Sequence, residues 1–408
     1  MNSPYTHTRS PRIALDRCPP EICGQIFTLA CNDEGSTARA LSLVSRYIHD
    51  VSDPVRYQSI AAAGLEQMLA FITRLEARAP EKRFVRNLYL CSFPSPKRPS
   101  VYTRDGEESD GTQRFRGVMK RKVPSVAKIQ ESRKQHLARL FPSGEIFQAT
   151  LNAIIRILSL SSNTLETLAL IMPQSTHFLL PPSISLPSLI ELSIYSMCSG
   201  HTSWNPSTPN PLPSLRRLHL AGRYFSESQI ISLAHNAPAL IHLRLSGMED
   251  NIFLRFALNH LLGSKESDWD TDSDSEWGPS SSPSCRHMYH RSLKNVLVQT
   301  RPPTMFGCSH AARTYHAALT SLQSLQVETS SSSPGETSSE SKAGPDIQEE
   351  VERVTFLKPG KRDKPDAYAL EAKTFWLARL AGGMGCWDMS RRINVEELVT
   401  SAAKITVF

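Results

Sequence analysis

The sequence has no run of about 18 consecutive apolar residues, the length a membrane-spanning helix requires, so an integral helical membrane protein is not expected. Its first twelve residues, MNSPYTHTRSPR, lack an apolar core, and no secretory signal is expected either. The eight cysteines (18, 23, 31, 91, 198, 285, 308 and 386) form no CxxC pair and follow no regular spacing. They read as reduced thiols of an intracellular protein, cytoplasmic or nuclear, rather than as a disulfide framework. Aromatic residues are scarce at 7%, which leaves a lean core. There is no GxSxG, HExxH or Walker-type phrase. Separate Ser, His and Asp residues form a triad only in three dimensions, so the sequence supports no catalytic residue and no cofactor, and a non-catalytic protein is expected.

What is present is 408 residues with 28 prolines, a hydrophobic fraction of 40% and a net charge of +7. That charge is concentrated: residues 114–139 carry nine Lys or Arg against Glu131 alone, a surplus of +8, and the rest of the chain sums to −1. The basic run allows phosphate contacts, nuclear import around Lys120-Arg121-Lys122, or a cationic loop facing the acidic stretch Asp268 to Glu276. Phe115 alone interleaves with the charges, which does not make a stacking platform, so nucleic acid is not the expected partner. Serines among the acids of the second stretch suit phosphorylation.

Residues 13–60 read as a compact helical unit. Pro19-Pro20 begin a helix, EICGQIFTLAC, whose Ile22, Ile26, Phe27 and Leu29 recur at helical spacing. After the polar break NDEGST, Ser36 or Thr37 caps a second stretch in which Leu41, Val44, Ile48 and Val51 share a face. Helices this short need a partner surface. Cys18-Pro19-Pro20-Glu21-Ile22, Ile26-Phe27 and Leu41 with Val44-Ser45-Arg46 resemble, in order, the F-box in its fungal form. Cys18 stands where that family has Leu, and Ile48 where it has Trp. The resemblance implies docking on a Skp-type adaptor of a cullin-RING ubiquitin ligase, with Pro20, Ile22, Ile26, Phe27, Leu43, Val44 and Tyr47 as the contact set. The competing reading is that these residues only pack the helices onto the body, leaving an interaction scaffold without ligase docking.

Downstream, a Leu-x-x-Leu-x-Leu phrase recurs: TLETLAL, SLIELSI, SLRRLHL and ALIHLRL, with first leucines at 165, 189, 215 and 240. Looser copies are Val85-Leu88-Leu90, Leu293-Val296-Val298 and Leu322-Leu325-Val327. The last two apolar residues of each phrase share one side of a strand, and helix-like pieces such as SESQIISLAHNAP lie between phrases. The fold class expected is α/β, a short helical F-box followed by an irregular leucine-rich-repeat-like solenoid with disordered insertions. Such an array exposes a curved sheet, on which Glu166, Glu191, Arg216, Arg217, His219, His242 and Arg244 face outward. They either recognise a polar target protein or are simply solvated.

The organisation read from composition is a tail at 1–12, the F-box-like unit at 13–60, first repeats at 57–95 and a basic insertion at 96–140. Repeats at 141–262 precede an acidic Ser-rich loop at 263–290, further repeats at 291–327 and a Ser-rich loop at 328–348. Residues 349–408 read as a final repeat that caps the open edge. There Phe375, Trp376 and Leu380 are core, and Gly382, Gly383 and Gly385 stop a helix near 366–381. Cys285, His287, His290, Cys308, His310 and His316 are suitable zinc ligands by type but lack knuckle spacing, so no metal is expected.

Overall fold

The computed structural model describes residues 18–94, 144–172, 184–196, 212–222, 225–248, 251–263, 290, 292–301, 319–320, 322, 354–358, 365–390 and 392–393. The basic insertion, nearly all of the acidic loop, the Ser-rich loop at 328–348 and every member of the Cys/His cluster except His290 lie outside these residues. Among the described residues the chain is α/β. Helices α1 (Pro20–Ala30), α2 (Ser36–Leu41) and α3 (Arg46–Ser52) come first. Then follow β1 (Ser59–Ala63), α4 (Leu65–Glu76), β2 (Asn87–Cys91), α5 (Gly144–Ser161), β3 (Thr167–Met172), β4 (Glu191–Ser196) and β5 (Arg217–Gly222). The order closes with α6 (Glu227–His235), β6 (His242–Met248), α7 (Asn251–Leu262), β7 (Asn295–Thr300), β8 (Val354–Phe356) and α8 (Pro365–Leu380). The eight strands form one open parallel sheet in sequence order.

The recurrent phrase builds this sheet. Leu168, Leu170, Leu192, Ile194, Leu218, Leu220, Leu243 and Leu245 alternate along their strands, so all point to one face, where they are buried. The first leucine of each phrase is buried too, and in three of the four clearest phrases its amide closes the turn leading into the strand: Leu189 N donates to Leu186 O (3.2 Å), Leu215 N to Leu212 O (3.1 Å) and Leu240 N to Ala237 O (2.9 Å). One carbonyl before each strand accepts two amides of the next unit. Arg86 O takes Glu166 N (2.8 Å) and Thr167 N (3.0 Å), and Gln58, Glu166, Ile190, Arg216 and Ile241 do the same for their successors. This repeated junction sets the in-register pairing Leu168↔Leu192↔Leu218↔Leu243. The phrase at Leu322 lies outside the described residues apart from Leu322 itself, which is buried. The eighth strand comes from VERVTF instead, where Val351, Val354 and Phe356 repeat the same spacing.

Helices α4, α5, α6 and α7 supply the apolar stripes that pack against the leucine face. Ile154, Ile157, Leu158 and Ser161 of α5, and Leu254, Ala257, Leu258 and Leu261 of α7, recur at three- and four-residue steps. Ser226 and Gln229 form a reciprocal capping box at the start of α6.

The opposite face carries Ala61, Tyr89, Ala169, Tyr195, His219, Arg244 and Leu297. Here the structure departs from expectation. Residues 349–408 do contribute an edge strand, β8, and Arg392 and Ile393 pair with its end, Ile393 N donating to Phe356 O at 3.0 Å, but α8 does not lie at that edge: it lies across this second face. Tyr368, Ala369, Ala372 and Trp376 form a stripe on α8 that packs on Tyr89, Cys91, Ala169 and Ile171. The small side chains at Ala61, Ala169 and Ala221 give the helix room, and Tyr89 Oη donates to Ala369 O at 2.9 Å. Gly247 marks the closest approach. Its φ of +72° is left-handed, and a Cβ there would lie 2.7 Å from Tyr368 Oη. After α8, Gly382 at φ +83° and the bond from Gly383 N to Ala378 O (2.8 Å) end the helix. Among the described residues no helix is long and apolar enough to cross a membrane.

Candidate functional site

Helices α1 to α3 enclose a small core of Cys23, Phe27, Cys31, Ala38, Ile48 and Val55. Cys23, Phe27 and Cys31 recur every four residues, so one face of α1 is committed inward. Pro20 occupies the first turn of α1, where its missing N–H costs nothing. Asp33 shapes the turn into α2 by accepting from Gly35 N (2.8 Å), Ser36 Oγ (2.7 Å) and Thr37 N (2.9 Å). Burial would raise its carboxyl, but these hydrogen bonds prevail and hold it below the ordinary value. Ser45 caps α3 by accepting from Ile48 N at 3.2 Å, and Tyr47 Oη donates to Cys18 O, fastening α3 to the approach of α1. Gln58 Nε2 donates to Thr28 O and Asn32 Oδ1, both at 2.9 Å, and Ala61 N to Glu34 O at 3.4 Å. The three helices are thereby anchored to the outer edge of β1.

A second face of α1 is also apolar and stays open. Ile22, Ile26 and Leu29, with Leu43 and Val44 from the turn before α3, are 46% to 80% exposed. Five large apolar side chains in water on so small a unit mark a surface built to be covered. Of the docking set read from the sequence, Pro20, Ile22, Ile26, Leu43 and Val44 are exposed. Phe27 is not: at 2% exposure it is core, because it completes the Cys23-Phe27-Cys31 stripe against Ile48. Tyr47 is half-buried, its hydroxyl engaged with Cys18. Leu29 belongs with the exposed set, and its helical spacing from Ile22 and Ile26 is the signal for it. Ile48 is fully buried, so this departure from the F-box pattern changes the interior of the unit and not its open face.

The outward polar set fares differently. Arg216 is exposed, Glu166 is half-buried and paired with Arg86 (2.7 Å), and Arg217 and His242 are half-buried. Glu191, His219 and Arg244 are buried, contrary to expectation, because α8 and the turn after it cover them. Glu191 accepts from Arg379 Nε and Trp387 Nε1, each at 3.0 Å. His219 sits between Tyr195 Oη (3.3 Å from Nδ1) and Ser246 Oγ (3.1 Å from Nε2). Arg244 donates from Nε to Ser246 Oγ (3.0 Å) and from a terminal nitrogen to Gln299 Oε1 (2.9 Å). The space beside this network is about 20 Å³, room for about one water and for no substrate of ordinary size. Ser246 and His219 therefore have the spacing of a nucleophile and its base, but among the described residues they adjoin no cavity of substrate size. Among the described residues no group of three His, Cys, Asp or Glu is placed to hold a metal ion.

Burial, reinforced by Arg244, holds the His219 imidazole well below its ordinary 6.5. Above pH 6.5 the imidazole is neutral in folded and unfolded chains alike, and stability is unaffected. Below it the unfolded chain binds a proton that the folded chain refuses, so stability falls by about 1.4 kcal/mol per pH unit until the folded imidazole titrates. His219→Gln is expected to remove this share and flatten the decline of the urea midpoint between about pH 6.5 and 5; an unchanged decline refutes the assignment. Compared with models of protein families, with curated proteins and with solved structures, the chain matches none.

Proposed function

We propose that the chain is a non-catalytic F-box-type receptor of a Skp-cullin ubiquitin ligase, with α1 to α3 as its adaptor-docking unit and the strand array, a leucine-rich-repeat-like solenoid, as its target-binding body. The observation that carries this reading is the open apolar face of Ile22, Ile26, Leu29, Leu43 and Val44, on the stretch whose order of residues resembles the F-box. The receptor does no bond chemistry. It raises the local concentration of a target protein beside the charged enzyme of the assembly. Target contacts fall on exposed positions such as Arg216, since Glu191, His219 and Arg244 are covered by α8 and the segment after it.

The test is co-purification of the full chain with a Skp-type adaptor, followed by titration of an Ile26→Asp, Val44→Asp double variant. Both positions are exposed, so the variant is expected to keep the wild-type thermal midpoint while adaptor affinity drops at least about tenfold, as loss of two interface anchors implies. A wild-type chain that does not bind the adaptor, or a variant that binds it equally well, overturns the reading.

A further inference from the structure

Two guanidinium groups are buried together at the carboxyl ends of β6 and β7, and the described residues lining the same cavity do not balance their charge. Leu297, Gln299 and Arg301 alternate along β7 and its last step, so all three face α8. Arg301 is 6% exposed, and its Nε and Nη1 have neither solvent contact nor a hydrogen-bond partner. Arg244, on the neighbouring strand and 3% exposed, satisfies its donors on Ser246 and Gln299 but keeps its charge. Both line the same cavity of about 20 Å³, together with Thr300 and, from α8, Tyr368 and Glu371. Glu371 contributes one negative charge. His219 contributes none, because burial and Arg244 keep its imidazole neutral. Among the described residues that line it, the cleft therefore carries a net +1, in surroundings where an uncompensated ion is costly.

We propose that this cleft is a binding site for one small monovalent anion of the size of chloride or formate, held by the unpartnered nitrogens of Arg301. Three observations select the ligand. The charge deficit is single, which favours a monoanion over sulfate or a phosphate dianion. The cavity admits little more than one water, which excludes nucleotides and larger acids. The free groups are guanidinium N–H donors, which match a halide or a carboxylate oxygen. The anion sits where β5, β6 and β7 end beneath α8 and fixes that helix against the strands.

The test compares purified full-length protein in sodium chloride, sodium formate and sodium gluconate at equal ionic strength, gluconate being too large for the cleft. The thermal midpoint is expected to rise saturably with chloride and with formate, by about 2 °C over gluconate between 10 and 200 mM. Arg301→Gln is expected to abolish that increment, and Arg301→Lys to retain part of it. A second readout observes the ion directly. The excess ³⁵Cl line width produced by the wild-type protein is expected to fall when formate is added and to persist when gluconate is added. Equal midpoints in the three salts, an increment that survives in Arg301→Gln, or an excess chloride line width that is unchanged in Arg301→Gln each overturns the site. A response to chloride alone assigns the site to a halide, and equal responses assign it to any small monoanion.

Discussion

Trp376→Ala is expected to lower the unfolding free energy by about 3–5 kcal/mol, the cost of removing a large buried aromatic side chain. Trp376 is 3% exposed and packs its ring against Tyr89, with centroids 5.8 Å apart. It sits on the α8 stripe where helix meets strands, so the cavity left by alanine is walled by β-sheet on one side and cannot readily collapse. Trp376→Phe separates packing from hydrogen bonding. The indole Nε1 is buried without an acceptor, a penalty of about 1–3 kcal/mol, so phenylalanine removes an unsatisfied donor while giving up some volume. The two changes oppose each other, and Trp376→Phe is expected to remain within about 1 kcal/mol of wild type. Urea denaturation followed by far-UV circular dichroism measures both. A Trp376→Ala midpoint equal to that of wild type would mean that α8 does not rest on the sheet in solution.

The sheet is legible in the sequence because the same phrase encodes it repeatedly. A two-residue alternation identifies each strand, and first leucines at 165, 189, 215 and 240 leave room for only a short connection, which places consecutive strands side by side. The open apolar face of the helical unit is half legible. Helix α1 is apolar on two faces, Cys23-Phe27-Cys31 and Ile22-Ile26-Leu29, and propensity does not say which goes inside. The choice is made by α3, whose buried Ile48 meets Phe27. Least legible is the burial of Glu191, His219 and Arg244. Alternation correctly puts them opposite the leucines, but whether that face is open depends on α8, more than a hundred residues downstream. A local signal does exist on the same face. Tyr89, Cys91, Ile171 and Ala221 are side chains a solvated sheet does not require, and they mark a surface with its own cover.

Leu218→Ala is expected to cost about 2–5 kcal/mol, and its coupling to other sites tests how the sheet distributes stability. Leu218 is fully buried at the centre of the array, in register with Leu192 on one side and Leu243 on the other. A cavity at Leu218 is bordered by those neighbours, so Leu218→Ala with Leu243→Ala is expected to deviate from the sum of the single effects by at least about 0.5 kcal/mol. Leu88 occupies the equivalent position on β2, three strand spacings from β5, or about 14 Å. Leu218→Ala with Leu88→Ala is therefore expected to be additive to within about 0.5 kcal/mol. Urea midpoints of the three single variants, the two double variants and wild type supply both cycles. Coupling confined to adjacent strands is what a linear array of similar units predicts, because each unit buries its leucines only against the next. Equal coupling in both cycles would instead require the leucine face to respond as one body, with the cavity at β5 felt as strongly at β2 as at β6. The sequential strand order makes the first outcome the physical expectation, since no strand distant in the chain is brought between neighbours to link them.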